Sequence, residues 1–144
     1  MKNLLFDTNI LMLYIRKDAQ WQTIFNKFDV ENTLNCLSVV SLGELYALSL
    51  RNKWGEKRTK QIELLKQNFT IVDINMEPII NRYADIDAFS QGKHPSVPSI
   101  GSARTMGKND LWIAATASVY DLTFLTLDRD FNHLDTVFLE LGTW

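Results

Sequence analysis

Short apolar runs alternate with longer segments of helical periodicity along this chain. Four runs have the length and residue content of buried strands: "NLLF" from Asn3, "TLNCLSVV" from Thr33, "FTIVDI" from Phe69 and "LTFLTL" from Leu122. A fifth candidate is "TVFLEL" from Thr136. Strands that alternate with helices are typical of a parallel sheet covered by helices on both faces, so the pattern predicts an α/β fold.

The segments between these strands carry helix start signals. Asp18 can cap a short helix, and Pro78 suits the first turn of a helix that runs to about Ser90. "SLGELYALSL" from Ser41 and the strongly apolar "DLWIAATASVY" from Asp110 have helical character as well. We therefore expect helices to connect successive strands.

Residues 91–109 form the longest segment without helical or strand periodicity. This segment, "QGKHPSVPSIGSARTMGKN", is rich in turn-forming residues, and a loop of that length in a compact domain is usually functional. No repeat, low-complexity tract or linker divides the chain. The length of 144 residues predicts one domain over residues 1–144.

Composition narrows the function classes without selecting one. A hydrophobic content of 46% supplies a core without disulfides, and the single cysteine, Cys36, cannot form an internal disulfide. No apolar run approaches the roughly 20 residues that span a bilayer, and no signal-peptide cleavage site follows the first strand. These features predict a cytoplasmic protein. The net charge of −2 argues against a broadly basic surface, although residues 51–60 contain five basic residues and one acid.

Four carboxylates occur where predicted strands give way to helices. They are Asp7, Glu44, Asp110 and Asp128. In a parallel sheet, such junctions share the carboxyl edge, where ligands bind in α/β proteins. Acids that are distant in the sequence can therefore meet at one place.

Each acid also has a local structural interpretation. Ser41 and Glu44 form the S-x-x-E pattern of a capping box. Asp110 and Asp128 are suitable N-caps, and Asp7 in "DTN" can build a turn. For any single acid, this structural role competes with a catalytic one.

The four acids together favour a bound cation. Carboxylates that share a low-dielectric crevice repel one another, and they protonate or separate unless a cation holds them. Mg²⁺ and Mn²⁺ prefer oxygen ligands. His94 and His133 stand alone and are interpreted as surface or loop residues, so the sequence does not indicate zinc.

Four motifs resemble those of PIN domains, and specifically those of the VapC toxins of type II toxin–antitoxin pairs. They are "LLFDTNIL", "SVVSLGELYAL", "NDLWIAATA" and "FLTLDRDF", and they occur in the family's order over nearly the whole chain. The resemblance implies a three-layer α/β/α sandwich around a parallel sheet. It also implies an endoribonuclease that requires Mg²⁺ or Mn²⁺. The long 91–109 segment departs from many relatives, which shorten it.

The resemblance assigns roles to individual residues. The family's acidic set falls on Asp7, Glu44, Asp110 and Asp128, of which Asp7, Asp110 and Asp128 would be metal ligands. Glu44 would either bind the metal or orient the attacking water, and Asp130 is an alternative to Asp128 as the fourth acid. Polar residues that would support the first and fourth acids are Thr8, Asn9 and Thr126. Arg104 and Lys108, which precede Asp110, are candidates for contacts with the RNA backbone.

Partners and alternatives complete the expectation. The resemblance implies an RNA substrate, a homodimer and a cognate antitoxin protein whose C-terminal segment occupies a groove near the acids. A catalytically silent PIN-like module that binds RNA or protein is the main alternative. A DNA nuclease remains open, because the metal chemistry does not distinguish the sugar. An aspartyl-phosphate phosphatase is disfavoured, since position 9 holds asparagine instead of a second acid.

Overall fold

The computed structural model describes residues 2–99 and 101–144. Within them, the strands are β1 (Leu4–Phe6), β2 (Asn35–Ser38), β3 (Thr70–Val72), β4 (Thr123–Leu125) and β5 (Glu140–Leu141). The helices are α1 (Thr8–Arg16), α2 (Ala19–Lys27), α3 (Val39–Arg51), α4 (Glu56–Asn68), α5 (Glu77–Ser90) and α6 (Lys108–Val119). Two 3₁₀ helices cover Val30–Asn32 and Arg129–Leu134. None of the described helices has the length and apolarity that a membrane crossing requires.

All five strands of the described sheet are parallel, in the order β3-β2-β1-β4-β5. Alternate residues of β1 enter different hydrophobic clusters, because successive side chains of a strand point to opposite faces. Phe6 packs in a cluster with side chains of α1–α4, whereas Leu5 packs with side chains of α5 and α6. Both residues are fully buried. The predicted three-layer α/β/α sandwich with a central parallel sheet is confirmed.

The strand order determines where a ligand can bind. The chain passes from β1 to β2 on one side, while β4 returns to the other side of β1. A crevice opens outside the carboxyl ends of the strands at such a reversal of direction. The residues that follow β1, β2 and β4 line this edge, and Asp7, Glu44 and Asp128 lie on those segments. Asp110 instead follows α5 and the 91–109 loop, so its predicted position at a strand-to-helix junction is wrong.

Two helix starts differ from the sequence prediction. Helix α3 begins at Val39, with the Ser38 side chain accepting a hydrogen bond from the Val40 N–H as its N-cap. The Ser41–Glu44 capping box is therefore wrong. Val39 and Val40 were assigned to the strand because β-branched residues favour strands, but the cap at Ser38 ends the strand earlier.

Helix α6 begins before Asp110, which is therefore not its N-cap. The helix starts at Lys108, and its N-cap, Gly107, makes no side-chain capping bond. Asp110 instead occupies the first turn. The remaining start signals are confirmed: Asp18 caps α2, Asp128 caps the second 3₁₀ helix, and Pro78 lies in the first turn of α5.

Candidate active site

Asp7 is held at the carboxyl end of β1 by three neighbours. Its side chain is only 5% exposed. Oδ1 accepts a hydrogen bond from the Thr8 N–H at 2.8 Å, which caps α1, and Oδ2 accepts one from the Thr126 hydroxyl at 2.7 Å. The Asn9 amide also donates to Oδ2, at 3.3 Å. The structure thus places Asp7 against Thr8, Asn9 and Thr126, the residues that the sequence grouped with it.

Thr126 connects Asp7 to the segment that carries Asp128. Its hydroxyl donates to Asp7 and accepts from the Asn9 amide at 3.3 Å and from the Asp128 N–H at 3.0 Å. A hydroxyl has one donor and two acceptor sites. These three bonds occupy all of them, so the orientation of the Thr126 hydroxyl is fixed. The Asn9 carbonyl oxygen accepts from the Leu127 N–H at 3.1 Å. Asp128 is thereby tied to the loop beside Asp7.

Glu44 reaches the same edge from the second turn of α3. Its Oε1 accepts a hydrogen bond from the Thr8 hydroxyl at 2.7 Å. The Thr8 hydroxyl also lies 2.9 Å from Oγ of Ser41, which is fully buried. Because Thr8 has one hydroxyl proton, Ser41 is the donor in that second bond. Ser41 therefore orients the Thr8 hydroxyl. The sequence prediction had assigned Ser41 to a capping box instead.

Asp110 stands in the first turn of α6 and faces the other acids. Among the described residues, no hydrogen bond reaches its carboxylate. The pKa of Asp110 is raised to about 6, mainly by burial and in addition by the charges of Asp7, Asp128, Glu44 and Asp130. The charge of every other predicted acid therefore affects Asp110, including those of Asp128 and Asp130, the two candidates for the fourth acid.

The pKa of Asp7 is also raised to about 6. Burial is the largest cause, and the charges of Glu44 and Asp128 add to it. The hydrogen bonds from Thr126 and Thr8 act in the opposite direction, because they favour the charged form. Two carboxyl groups with raised pKa values at one sheet edge are characteristic of functional sites.

These acids offer oxygen ligands in an open arrangement. Within residues 2–99 and 101–144, no group of three or more histidine, cysteine, aspartate or glutamate side chains is placed to enclose a metal ion. Mg²⁺ is usually held by one or two carboxylates, with waters and substrate phosphates completing its shell. The carboxylate oxygens are of the ligand type that Mg²⁺ and Mn²⁺ prefer, whereas a structural zinc site is built mainly from cysteine and histidine.

The residues predicted to contact the RNA backbone are both exposed. The backbone N–H of Arg104 donates to the Ser90 carbonyl at 2.8 Å, and the charge of Arg104 acts on His133. Lys108 is the first residue of α6, two residues before Asp110. In the basic 51–60 segment, the Arg58 guanidinium lies 5.5 Å from the centre of the Trp54 ring.

Sequence reasoning placed His133 on the surface or in a loop, and this was wrong. Its Nε2 lies 2.7 Å from the buried Ser90 hydroxyl, and its ring stacks on Phe89. Burial lowers the pKa of His133, and the charge of Arg104 lowers it further. His94 does lie in the 91–109 loop as expected, although its side chain is only 10% exposed and bonds to Asp85.

Two grooves are lined by predicted acids, whereas the resemblance implied one groove near the acids and named none of its residues. The α3 groove, of about 650 Å³, is lined by Glu44 and by apolar residues that include Leu48 and Trp112. The β4 groove, of about 430 Å³, is lined by Thr126, Asp128 and residues up to Trp144. Each groove thus begins at one of the predicted acids.

Asparagine at position 110 should stabilise the metal-free protein at neutral pH. The folded-state pKa of Asp110, about 6, exceeds its ordinary value of 3.8, so the folded protein binds more protons between these values. The contribution of Asp110 to the free energy of unfolding therefore falls as the pH rises from 3.8 to about 6, and it stays low above that pH. After allowance for solvent screening, we expect Asp110→Asn to raise the free energy of unfolding by about 1 kcal/mol and Tm by about 2 to 4 °C.

The measurement is thermal unfolding in EDTA at pH 7.5 and 4.5. The advantage of Asp110→Asn should shrink at pH 4.5, where Asp110 is protonated in the folded protein. Glu56→Gln is the matched control, because Glu56 is also in a first helical turn but is exposed. Equal melting temperatures for wild type and Asp110→Asn at pH 7.5 would contradict the repulsion among the acids.

Comparison with known proteins gives a family model and a set of similar structures. The PIN domain model matches residues 4–137. The chain is similar to VapBC2 from Rickettsia felis bound to a promoter DNA fragment, with 20% identity, 98% of each chain covered and a TM-score of 0.76. VapBC-1 from nontypeable Haemophilus influenzae is 22% identical, with 98% of this chain and 97% of that chain covered and a TM-score of 0.70.

VapBC-5 from Mycobacterium tuberculosis is 21% identical, covers 100% of both chains and has a TM-score of 0.66. No curated protein sequence matches the chain. At these identities, the solved structures establish similarity of fold.

Proposed function

Because this chain belongs to the PIN domain family, we propose that it is a metal-dependent endoribonuclease and the toxin of a type II toxin–antitoxin pair. The observation that carries the proposal is the pair of carboxyl groups, Asp7 and Asp110, whose pKa values are raised to about 6 beside other acids. Carboxylates this close together repel one another, which lowers stability in a purely structural site. The same arrangement is useful where a cation and a phosphate have to be held.

The acids divide the chemical work among them. Asp7, Asp110 and Asp128 would hold Mg²⁺ or Mn²⁺, with Asp130 as the alternative to Asp128. When bound, the ion lowers the pKa of its water and offsets negative charge on the phosphate. Glu44 either adds a ligand or orients the water, and the Thr8 hydroxyl fixes its carboxylate.

The supporting side chains hold the acids in position before substrate binds. Thr126 and Asn9 fix the carboxylate of Asp7, and Thr126 also holds the main chain of Asp128. Positioning of this kind lowers the barrier because the acids need not reorganise during the reaction. Arg104 and Lys108 guide the RNA backbone, since a polyanion must otherwise approach an acidic edge.

The α3 groove is the proposed seat of the antitoxin's C-terminal segment. Its walls combine apolar residues such as Leu48 and Trp112 with two charged residues, Glu44 and Arg51. Glu44 is the group there that a cationic residue of the partner would contact. The solved structures similar to this chain include VapBC-5, a member of the VapBC family of toxin–antitoxin systems. We also propose that the protein is cytoplasmic, is a single domain over residues 1–144 and forms a homodimer. Leu50, which is 80% exposed at the end of α3, supplies apolar surface for that contact.

A catalytically silent module that binds RNA or protein is the second candidate. The observation in its favour is that no three acids of the described chain are arranged to enclose a metal. Such a module would bind RNA without a metal requirement and would leave it intact. The first candidate predicts cleavage, so one assay separates them.

The test is incubation of purified protein with total cellular RNA in Mg²⁺, in Mn²⁺ or in EDTA. We expect discrete fragments with either metal and intact RNA in EDTA, because the acids repel phosphate without a cation. Single-stranded DNA of the same sequence as a cleaved RNA is the comparison substrate and should remain intact. Cleavage that persists in EDTA, or faster cleavage of the DNA, would contradict the proposal. A bound antitoxin must first be removed by denaturation and refolding.

A further inference from the structure

The β4 groove is lined by residues that follow β4 and β5, and these strands lie on the opposite side of β1 from β2, the strand that leads into α3. Thr126 and Asp128 line it together with residues of the 3₁₀ helix at Arg129–Leu134 and residues after β5. Because Thr126 also bonds Asp7, the groove is continuous with the candidate active site. A nucleotide attached to a phosphate at the acids can therefore enter it directly.

The walls of this groove combine the chemistry that single-stranded RNA requires. Trp144 and Leu127 are large apolar residues that remain 40% and 46% exposed. Asn132 and Arg129 are exposed on the adjacent 3₁₀ helix and line the same space. Proteins that bind single-stranded RNA stack bases on aromatic rings and read their edges with amide groups. The volume of about 430 Å³ lies in the range of small-molecule sites.

Trp144 is anchored by the residues that precede it. The Gly142 N–H donates to the Phe124 carbonyl at 2.9 Å, and a Cβ at Gly142 would lie 2.3 Å from Leu125 Cδ2. Glycine therefore permits the close approach of this segment to the sheet. The Trp144 ring packs edge-to-face with Phe28, with centroids 6.0 Å apart and planes at 83°. These contacts hold the indole at the groove before any ligand arrives.

We propose that the β4 groove is a nucleobase subsite, in which Trp144 stacks on the base next to the scissile phosphate and Asn132 reads the edge of that base. This proposal rests on the proposed ribonuclease function and deepens it, because it assigns residues that determine where RNA is cut. Arg129, beside Asp128, contacts the phosphate of the same nucleotide. Substrate RNA and the antitoxin thus occupy different grooves on either side of the acids.

The first test is the cleavage-site preference on an RNA library with randomised bases around the cut. Wild type should prefer particular bases at one position that flanks the scissile phosphate. Asn132→Ala should flatten the preference at that position, and Trp144→Ala should lower kcat/KM about 5-fold or more, in line with the loss of one stacked base. Asn81→Ala and Trp54→Ala are the matched controls, since both residues lie outside the groove. A preference profile identical to wild type in both groove variants would overturn the proposal.

The second test separates this proposal from the proposed function. Affinity for short single-stranded RNAs is measured by fluorescence anisotropy, with Asp110→Asn as the background so that cleavage does not interfere. Trp144→Ala should weaken binding about 5-fold or more, and Trp54→Ala should not. If wild type cuts no RNA but this difference is found, the nuclease function fails and the base subsite stands. If Trp144→Ala binds RNA as tightly as its background, the subsite is refuted, whatever the cleavage assay shows.

Discussion

Asp110→Asn should lower the rate of Mg²⁺-dependent RNA cleavage by at least about 100-fold, the usual effect of removing one group that stabilises a developing charge. The substitution keeps the size of the side chain and removes the charge that would bind the cation. No hydrogen bond to the Asp110 carboxylate is found among the described residues, so the loss would not come from a broken structural contact. Single-turnover cleavage of one defined RNA at saturating enzyme is the measurement.

Stability provides the control for this prediction. Because Asp110 is crowded by Asp7 and the other acids, the inactive variant should melt at a higher temperature than wild type in EDTA. Loss of activity together with loss of stability would instead indicate misfolding. Activity within about threefold of wild type would show that Asp110 is not needed for cleavage. Its role would then be the stabilisation of about 0.3–1 kcal/mol that an acid in the first turn gives a helix.

Glu44→Gln should also reduce cleavage by about 100-fold or more, again on the scale of a lost transition-state contact. The amide oxygen of glutamine can still accept the Thr8 hydroxyl, so the contact between α1 and α3 survives. The variant thus separates the charge of Glu44 from its structural contact. Cleavage of the same defined RNA, with the melting temperature measured alongside, gives the answer.

Glu63→Gln serves as the comparison for this second substitution. Glu63 is exposed on α4 and pairs only with Lys66 among the described residues. The Glu63→Gln variant should cleave the RNA at the same rate as wild type. If Glu44→Gln is equally active, Glu44 serves only to hold Thr8, and the water or metal must be oriented by the remaining acids.

The layered fold was predictable because strand and helix periods differ in the sequence. Alternation sends Phe6 to one face of the sheet and Leu5 to the other. Helix boundaries were less predictable where local signals conflicted. Val39 and Val40 favour a strand, yet Ser38 caps the helix and draws both residues into α3. This shift moved Glu44 from the first turn to the second and removed the capping explanation for it.

The convergence of Asp7, Glu44 and Asp128 was predictable because each follows a strand of one parallel sheet, whereas Asp110 reaches them from the first turn of α6, after a loop. Their contacts were not, since the Thr126 bond to Asp7 joins residues that are 119 positions apart. The β4 groove depends on the packing of Gly142 against Leu125 and Phe28. No local pattern reports such a long-range contact, so Asn132 and Trp144 remained without a role until the structure placed them beside Asp128.

The most direct measurement is the binding of Mn²⁺, followed by electron paramagnetic resonance of the free ion as protein is added. Wild type should bind Mn²⁺ over the concentration range that activates RNA cleavage, because the proposed ligands Asp7, Asp110 and Asp128 would share the cation. Asp110→Asn should bind at least tenfold more weakly, while Glu56→Gln should match wild type. Equal Mn²⁺ affinity in wild type and Asp110→Asn would show that these acids do not serve a common metal.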